Sequence, residues 1–362
     1  MSITAIDEAF MREAIALSLS HVGQTGSNPS VGCVIVKDGR VLGRGVTAKG
    51  GRPHAEPQAL AEAGDEAKGA TAYVTLEPCS HHGKTPPCAN AMVAAGIARV
   101  VVAVADPDPR VSGQGLKILA DADIEVTIGI LQKEARRAMG GYLTRQTKGR
   151  PQVTLKLAVS ADGMLGKLGE GQVAITGPEA RTEVHRLRAA SDAILVGIGT
   201  ANADDPELTV RLPGQENASP LRIVLDRRAE LSTGSKLAKT ARDVPVILAV
   251  APSATGHRNE LETMGVEILE TTGLEPLLQT LGARGISSLM VEGGARVAAD
   301  LLAQGLVDRI HLYTGEAAIG EGGIGSPITR DYRPAGFILL QEDTFGRDHR
   351  QILERLPVSA WL

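Results

Sequence analysis

Aromatic side chains are nearly absent: one Trp, four Tyr and three Phe make up 2% of the 362 residues. That leaves few platforms on which single-stranded bases could stack. Positive charge is not in excess either. Lys and Arg number 38 against 42 Asp and Glu, a net charge of −4, so no global basic field draws the chain to a phosphate backbone. These scarcities argue against RNA or DNA and leave a small anionic metabolite, whose phosphate needs only a local pocket. No apolar run is long enough to cross a bilayer, and Met1 to Arg12 carries Asp7 and Glu8 instead of a basic leader. No membrane partner is expected, and the expected compartment is the cytoplasm. Cysteine is scarce too: three residues, Cys33, Cys79 and Cys88, cannot build a disulfide framework.

What is present is 43% hydrophobic and long enough for two ordinary domains. Phe10, Ala14, Leu17 and Val22 recur at near-helical spacing, with Thr4 and Asp7 as a capping start. Residues 31–36 and 41–46 flank Lys37-Asp38-Gly39-Arg40, a hairpin signal. A helix is expected from about His54, strands over 71–76, 99–105 and 124–128, and helices over 89–95 and 116–122. The polar stretch Arg145 to Pro151, with its Gly and Pro, reads as a linker. Beyond it the alternation restarts, with strands at 153–159, 193–196, 221–225, 244–250, 287–291 and 310–313 and helices at 178–190 and 295–304. Strands alternating with helices mark an α/β protein. The expected division is 1–147 and 151–362.

Chemistry is concentrated in four residues of the first half. His54, Glu56, Cys79 and Cys88 supply an imidazole, a carboxylate and two thiols. Zinc favours such soft donors, and a catalytic site keeps one coordination position open. The expected ligands are His54, Cys79 and Cys88, with Glu56 as proton carrier, as in nucleobase deaminases. His54 and Glu56, two residues apart, serve one centre only if His54 stands at the helix entrance. Cys33, inside an apolar run, reads as a buried strand residue. The loop Ser80 to Pro87 holds His81, His82 and Lys84, which are either solvated, substitute ligands, or a cationic gathering point for a substrate phosphate. Asn28 is either an ordinary turn residue or a reach toward a bound sugar.

The second half shows two glycine-rich turns after apolar strands, Val196-Gly-Ile-Gly-Thr200 and Glu292-Gly-Gly-Ala295. Amides at such helix starts cradle phosphates. Neither is a full dinucleotide fingerprint, because Asn202 stands where a third glycine belongs. Lys156, on the polar face of strand 153–159, reads as an exposed lysine or as a catalytic group for a sugar carbonyl or imine.

The segments Asn28 to Val36, His54-Ala-Glu56 and Val74 to Cys88 closely resemble the bifunctional riboflavin-biosynthesis deaminase–reductases, and the likeness continues through Leu155-Lys-Leu157, Ser160-Ala-Asp-Gly163, Ala203-Asp-Asp-Pro206 with Leu208-Thr-Val-Arg211, and Val291-Glu-Gly-Gly294. The resemblance implies a cytidine-deaminase-like three-layer sandwich with zinc, followed by a dihydrofolate-reductase-like domain using NADPH. It implies deamination of a diaminopyrimidinone ribosylamine phosphate, then reduction of its ribosyl group to ribityl. It places Ala158, Ala174, Thr200, Asp204 and Gly294-Ala295-Arg296-Val297-Ala298-Ala299-Asp300 at the cofactor, and Gln172, Arg188, Leu208, Arg211 and Glu292 at the substrate, with Asn28, His81 and Lys84 serving the first site. At these positions Asp204 could orient or protonate the sugar, and the guanidinium forks of Arg188 and Arg211 suit a phosphate. Two positions depart from the pattern: Ala174 stands where Trp is common, and Arg227 where Ser or Thr follows the third-strand Asp. Arg227 is expected either at the 2′-phosphate of NADPH or in solvent. A homo-oligomer is expected. Two other readings stay open here: a nucleoside or nucleic-acid deaminase with an appended domain, and a non-catalytic second domain that holds substrate or oligomerises.

Overall fold

The computed structural model describes residues 5–81 and 86–356. They form two compact units, Met1–Gly149 and Arg150–Leu362. The first contains, in order, α1 (Ala5–Leu19), β1 (Gly32–Lys37), β2 (Arg40–Val46), α2 (Ala55–Ala63), β3 (Thr71–Leu76), α3 (Cys88–Ala94), β4 (Arg99–Val104), α4 (Gln114–Asp121), β5 (Glu125–Ile128), α5 (Gln132–Ala138) and α6 (Gly140–Lys148). Its sheet runs β2-β1-β3-β4-β5, with β1 antiparallel to both neighbours and β3, β4 and β5 parallel.

Successive strand residues face opposite sides, and β1 and β2 use this to seat two helices. A Cβ on Gly32 would lie 1.9 Å from the carbonyl oxygen of Ala14 in α1. Gly45 pairs with Cys33, the next residue of β1, so it faces the other way. There a Cβ on Gly45 would lie 1.9 Å from Ala55 O, and one on Gly43 would lie 2.1 Å from Ala59 O, both in α2. Helices therefore cover both faces of the sheet, and α2 rests directly on the backbone of β2. Val34, Ile35, Val74, Val101 and Val102 fill the core between the layers.

One local expectation is revised and another gains long-range partners. Asp7 lies in the first turn of α1 and is buried, and its carboxylate accepts from Tyr73 Oη at 2.8 Å and Arg99 Nη1 at 2.9 Å. Thr4 falls outside the described residues. The stretch read as a linker is mostly helix, because α6 continues to Lys148. Gly149, at φ 67°, ends it by donating its N–H to Arg145 O. Arg150 is buried, its Nη1 and Nη2 bonded to Asp308 at 2.6 and 2.9 Å. The polar residues belong to a helix surface and an internal ion pair.

The second unit contains β6 (Gln152–Val159), β7 (Met164–Lys167), α7 (Pro178–Ala189), β8 (Ala193–Gly197), α8 (Ile198–Asp204), β9 (Leu221–Leu225), α9 (Lys236–Lys239), β10 (Val246–Val250), α10 (Arg258–Met264), β11 (Glu267–Glu270), α11 (Leu274–Ala283), β12 (Ser288–Glu292), α12 (Ala295–Ala303), β13 (Arg309–Thr314), β14 (Gly323–Gly325), β15 (Phe337–Phe345) and β16 (Asp348–Arg355). Nine strands form one sheet in the order β11-β10-β9-β8-β12-β6-β13-β16-β15, while β7 and β14 pair separately. The seven strands from β11 to β13 are parallel, and β16 and β15 are antiparallel. From β8 the chain steps outward to β11, then returns to insert β12 between β8 and β6. Such a reversal opens a crevice at the carboxyl ends of the strands. The β15–β16 hairpin has no counterpart in the sequence reading, because a register shift between Leu339 and Gln341 interrupts its alternation.

The close seat of α2 is testable. Gly45→Val is expected to destabilise the protein by about 1–3 kcal/mol through overpacking and to lower deamination. An unchanged thermal unfolding midpoint in that variant would refute the contact.

Candidate active sites

The sequence puts His54 directly before α2 and Glu56 in its first turn, and the structure keeps His54 extended at φ −67°, ψ 169°. His54 is thus at the helix entrance, as the spacing required. Cys79 follows β3 by three residues, and Cys88 opens α3. His54 Nδ1 lies 3.7 Å from Cys79 Sγ and 3.4 Å from Cys88 Sγ, and the three donor atoms fall within 4.8 Å of one another. Tetrahedral zinc, with Zn–S near 2.3 Å and Zn–N near 2.0–2.1 Å, needs N···S separations of about 3.6 Å. The donor set and its spacing fit that ion. Cys33 is fully buried in β1 and is not one of the three.

Electrostatics follows from the crowding. Donation from the Cys88 thiol, aided by His54, pulls the Cys79 thiol well down, while the same hydrogen bond and burial push Cys88 up. Two sulfurs sharing a proton are primed for a cation that would displace it. Glu56 is 3% exposed. Burial, with the Cys79 thiolate second, raises its carboxyl to about 7. A divalent cation alongside would draw it back down.

One buried residue of this neighbourhood carried no assigned role in the sequence reading. Glu77 ends β3 two residues before Cys79, and its carboxylate accepts four backbone N–H groups: Asp106 and Gly113 at 3.2 and 3.1 Å, Gly115 and Leu116 at 3.0 and 3.4 Å. It fastens the Cys79 loop to the segment after β4 and the first turn of α4. The signal was present as an acidic residue beside Pro78-Cys79, but only the fold supplies its distant amides. Ser80 Oγ donates to Arg110 O at 3.2 Å in the same loop cluster. His81 is partly buried, and its Nδ1 has no hydrogen-bond partner among the described residues. Asn28 packs on Gly51, three residues ahead of His54: a Cβ there would lie 2.2 Å from Asn28 Nδ2. Lys84 and His82 lie outside the described residues.

In the second unit Lys156 of β6 is paired in register with Glu292, the last residue of β12. Arg188 of α7 reaches Glu292 bidentately, at 2.5 Å from Nε and 2.9 Å from Nη2, and donates through Nη1 to Thr209 O at 3.0 Å. Burial works to raise the Glu292 carboxyl, and the Arg188 guanidinium more than offsets it, leaving it at about 2. Burial lowers the Lys156 ammonium, with Glu292 opposing. Lys156 is therefore a partly buried cation beside a paired carboxylate, 6.0 Å from the Tyr313 ring centre. Arg188 uses three of its five donors internally, so two N–H groups stay free for a ligand. Arg211 is exposed and pairs with Glu207 at 2.8 Å.

The expected cofactor positions separate by location. Thr200, in α8, stands against the turn Gly293-Gly294, where a Cβ on Gly294 would lie 3.2 Å from its Oγ1. Gly294 and Ala295 are partly buried and Arg296 exposed at the start of α12; Val297 and Ala298 point into the core, and Ala299 and Asp300 are exposed. Ala158 shares a strand face with Lys156. Asp204 closes α8, its carboxyl raised by burial. Leu208 is buried in the core at φ 57°, so contact with a ligand there falls to its backbone. Gln172, Ala174 and Arg227 are exposed.

Comparison with known proteins agrees with both halves. Residues 4–104 match the cytidine and deoxycytidylate deaminase zinc-binding region, and residues 151–334 match the RibD C-terminal domain. The riboflavin biosynthesis protein RibD of Aquifex aeolicus is 42% identical over 322 residues, covering 88% of this chain and 90% of that protein. Its counterpart in Escherichia coli is 41% identical over 334 residues, covering 88% and 90%. Among solved structures, Acinetobacter baumannii RibD (form 1) superposes with a TM-score of 0.87 at 38% identity, covering 97% of this chain and 99% of that one. A diaminohydroxyphosphoribosylaminopyrimidine deaminase/5-amino-6-(5-phosphoribosylamino)uracil reductase of Thermotoga maritima gives 0.86 at 33% identity, with the same coverage. A zinc-type deaminase unit and a reductase unit joined in one chain, matched over nearly their whole length, place this protein in the RibD family of bifunctional riboflavin-biosynthesis deaminase–reductases.

Proposed function

We propose that the chain deaminates 2,5-diamino-6-ribosylamino-4(3H)-pyrimidinone 5′-phosphate and then reduces 5-amino-6-(5-phosphoribosylamino)uracil to its ribityl form. The reading is carried by the spacing of His54, Cys79 and Cys88 around a zinc-sized centre with Glu56 buried beside it. Residues 1–147 would perform the first reaction and residues 151–362 the second. His54, Cys79 and Cys88 hold zinc, which when bound supplies Lewis acidity toward water. Glu56 takes a proton from the attacking water and hands it to the departing amine, so that ammonia leaves and oxygen stays on C2 of the pyrimidine. Asn28, His81 and Lys84 bind the sugar and phosphate of this substrate.

For the reduction, Ala158, Ala174, Thr200, Asp204, Arg227 and the segment Gly294–Asp300 hold NADPH, which when bound supplies the hydride for C1′ of the sugar. The turn Gly293-Gly294 beside Thr200 supports that placement, since a side chain there would crowd the cradle. Gln172, Arg188, Leu208, Arg211 and Glu292 bind the substrate, with Arg188 and Arg211 at its phosphate. Lys156 hydrogen-bonds the imine or carbonyl at C1′ and steadies the charge that changes there. Its burial next to Glu292 supports a role beyond a solvated surface lysine. The cytoplasm and a homo-oligomer are part of the same proposal.

Three measurements test it. Glu56→Gln is expected to lower deamination by about 10²–10⁴-fold while metal analysis still finds bound zinc; normal turnover would end that assignment. Stripping the metal with a chelator should abolish deamination and leave NADPH oxidation with the deaminated substrate intact. In Lys156→Met the reductase kcat should fall by about 10²-fold or more, with NADPH affinity by fluorescence titration unchanged. Full reductase turnover in that variant would remove Lys156 from the chemistry.

A further inference from the structure

Helix α7 carries His185 three residues before Arg188, so the two side chains lie on one flank. Both grip the same segment. Arg188 Nη1 donates to Thr209 O at 3.0 Å, and His185 Nδ1 accepts the backbone N–H of Arg211 at 3.3 Å. Two alternate residues, Thr209 and Arg211, are thus bonded to α7, while Val210 N between them donates to Ser219 Oγ at 3.0 Å. The segment emerges from two left-handed non-glycine residues, Asp205 at φ 39° and Leu208 at φ 57°. Such conformations persist only where the surroundings hold them. The α7 clamp is part of that hold.

The histidine's half of the clamp has a protonation requirement. An imidazole nitrogen that accepts an N–H carries no proton, so His185 is neutral with its proton on Nε2. Protonation at Nδ1 would set a donor against a donor. We propose that His185 is a positioning residue of the reductase: its neutral Nδ1 fixes the backbone of Arg211 and so aims that guanidinium at the 5′-phosphate of the substrate. This rests on the reading above that Arg211 meets the phosphate. The charged groups facing His185 are Arg188 on its own helix, Arg211 on the clamped segment and Glu292 at the end of β12. Burial first, then the two guanidiniums, keep the ring below the ordinary histidine range, with Glu292 and the Thr209 carbonyl opposing. The clamp is therefore intact at neutral pH and opens as pH falls.

Steady-state reduction by the full chain tests the role, using 5-amino-6-(5-phosphoribosylamino)uracil and its dephosphorylated form. His185→Leu is expected to raise KM for the phosphorylated substrate by about tenfold, with kcat and NADPH affinity near wild type and no change for the dephosphorylated form. His185→Asn, whose Oδ1 occupies the place of Nδ1, should restore KM. It should also lose the steeper acid rise of wild-type KM and show only the titration of the substrate phosphate, whose second pKa is about 6. Equal losses with and without the phosphate, or an unchanged KM in His185→Leu, would overturn the proposal. Arg211→Ala separates the two layers. If that variant keeps its preference for the phosphorylated substrate, the phosphate reading of Arg211 fails; if it loses the preference while His185→Leu behaves as wild type, only the role of His185 fails.

Discussion

A carboxylate can be buried only where donors replace the water it gives up, and each unit of this protein uses that constraint at the carboxyl end of a central strand. In the first, Glu77 at the end of β3 gathers four backbone amides from the β4–α4 segment. The strand end, the Cys79 loop and the start of α4 are thereby held to one point. In the second, Glu292 at the end of β12 is matched by the Arg188 fork with Lys156 in the adjoining register. Neutral backbone amides surround Glu77. A guanidinium and an ammonium make Glu292 part of a charged cluster.

The two solutions divide labour within each site. Around Glu77 the donors are backbone, so the loop carrying Cys79 is tied to fixed points of the main chain. Around Glu292 the partners are side chains with free donors left over. Arg188 reaches both Glu292 and Thr209 O, which couples the charge at the strand end to the loop carrying Arg211. One strand end is held by amides, the other by ionised side chains.

Much of this was legible in the sequence because the relevant signals are local. The zinc donors sit next to helix starts and a strand end, so His54, Cys79 and Cys88 could be read from residue type and spacing. The strands of both sheets announce themselves as runs such as Val100–Val104 and Ile247–Val250, buried on both faces. What escaped depends on long-range pairing. The charge-rich end of α6 looked like a linker because Arg150 meets Asp308 more than 150 residues away. For Asp7 only the helix start was legible, because Tyr73 and Arg99 arrive from β3 and β4. The four amides on Glu77 and the grip of His185 on Arg211 involve backbone groups, which leave no mark in side-chain pattern. Arg188 was read as a free fork for phosphate, and its engagement with Glu292 appears only once β12 lies beside α7.

Gly43 and Gly45 belong to β2, and the absence of their side chains lets α2 descend onto that strand. The depth of Glu56 is thus set by two missing methyl groups on a neighbouring hairpin. Arg44, between them, faces outward to Glu13 and makes no such demand. Variation along this strand should therefore be free at one residue and forbidden at the next, following the pleat. The helix that carries Glu56 is spaced from the sheet by a gauge block, and the gauge is hydrogen-sized.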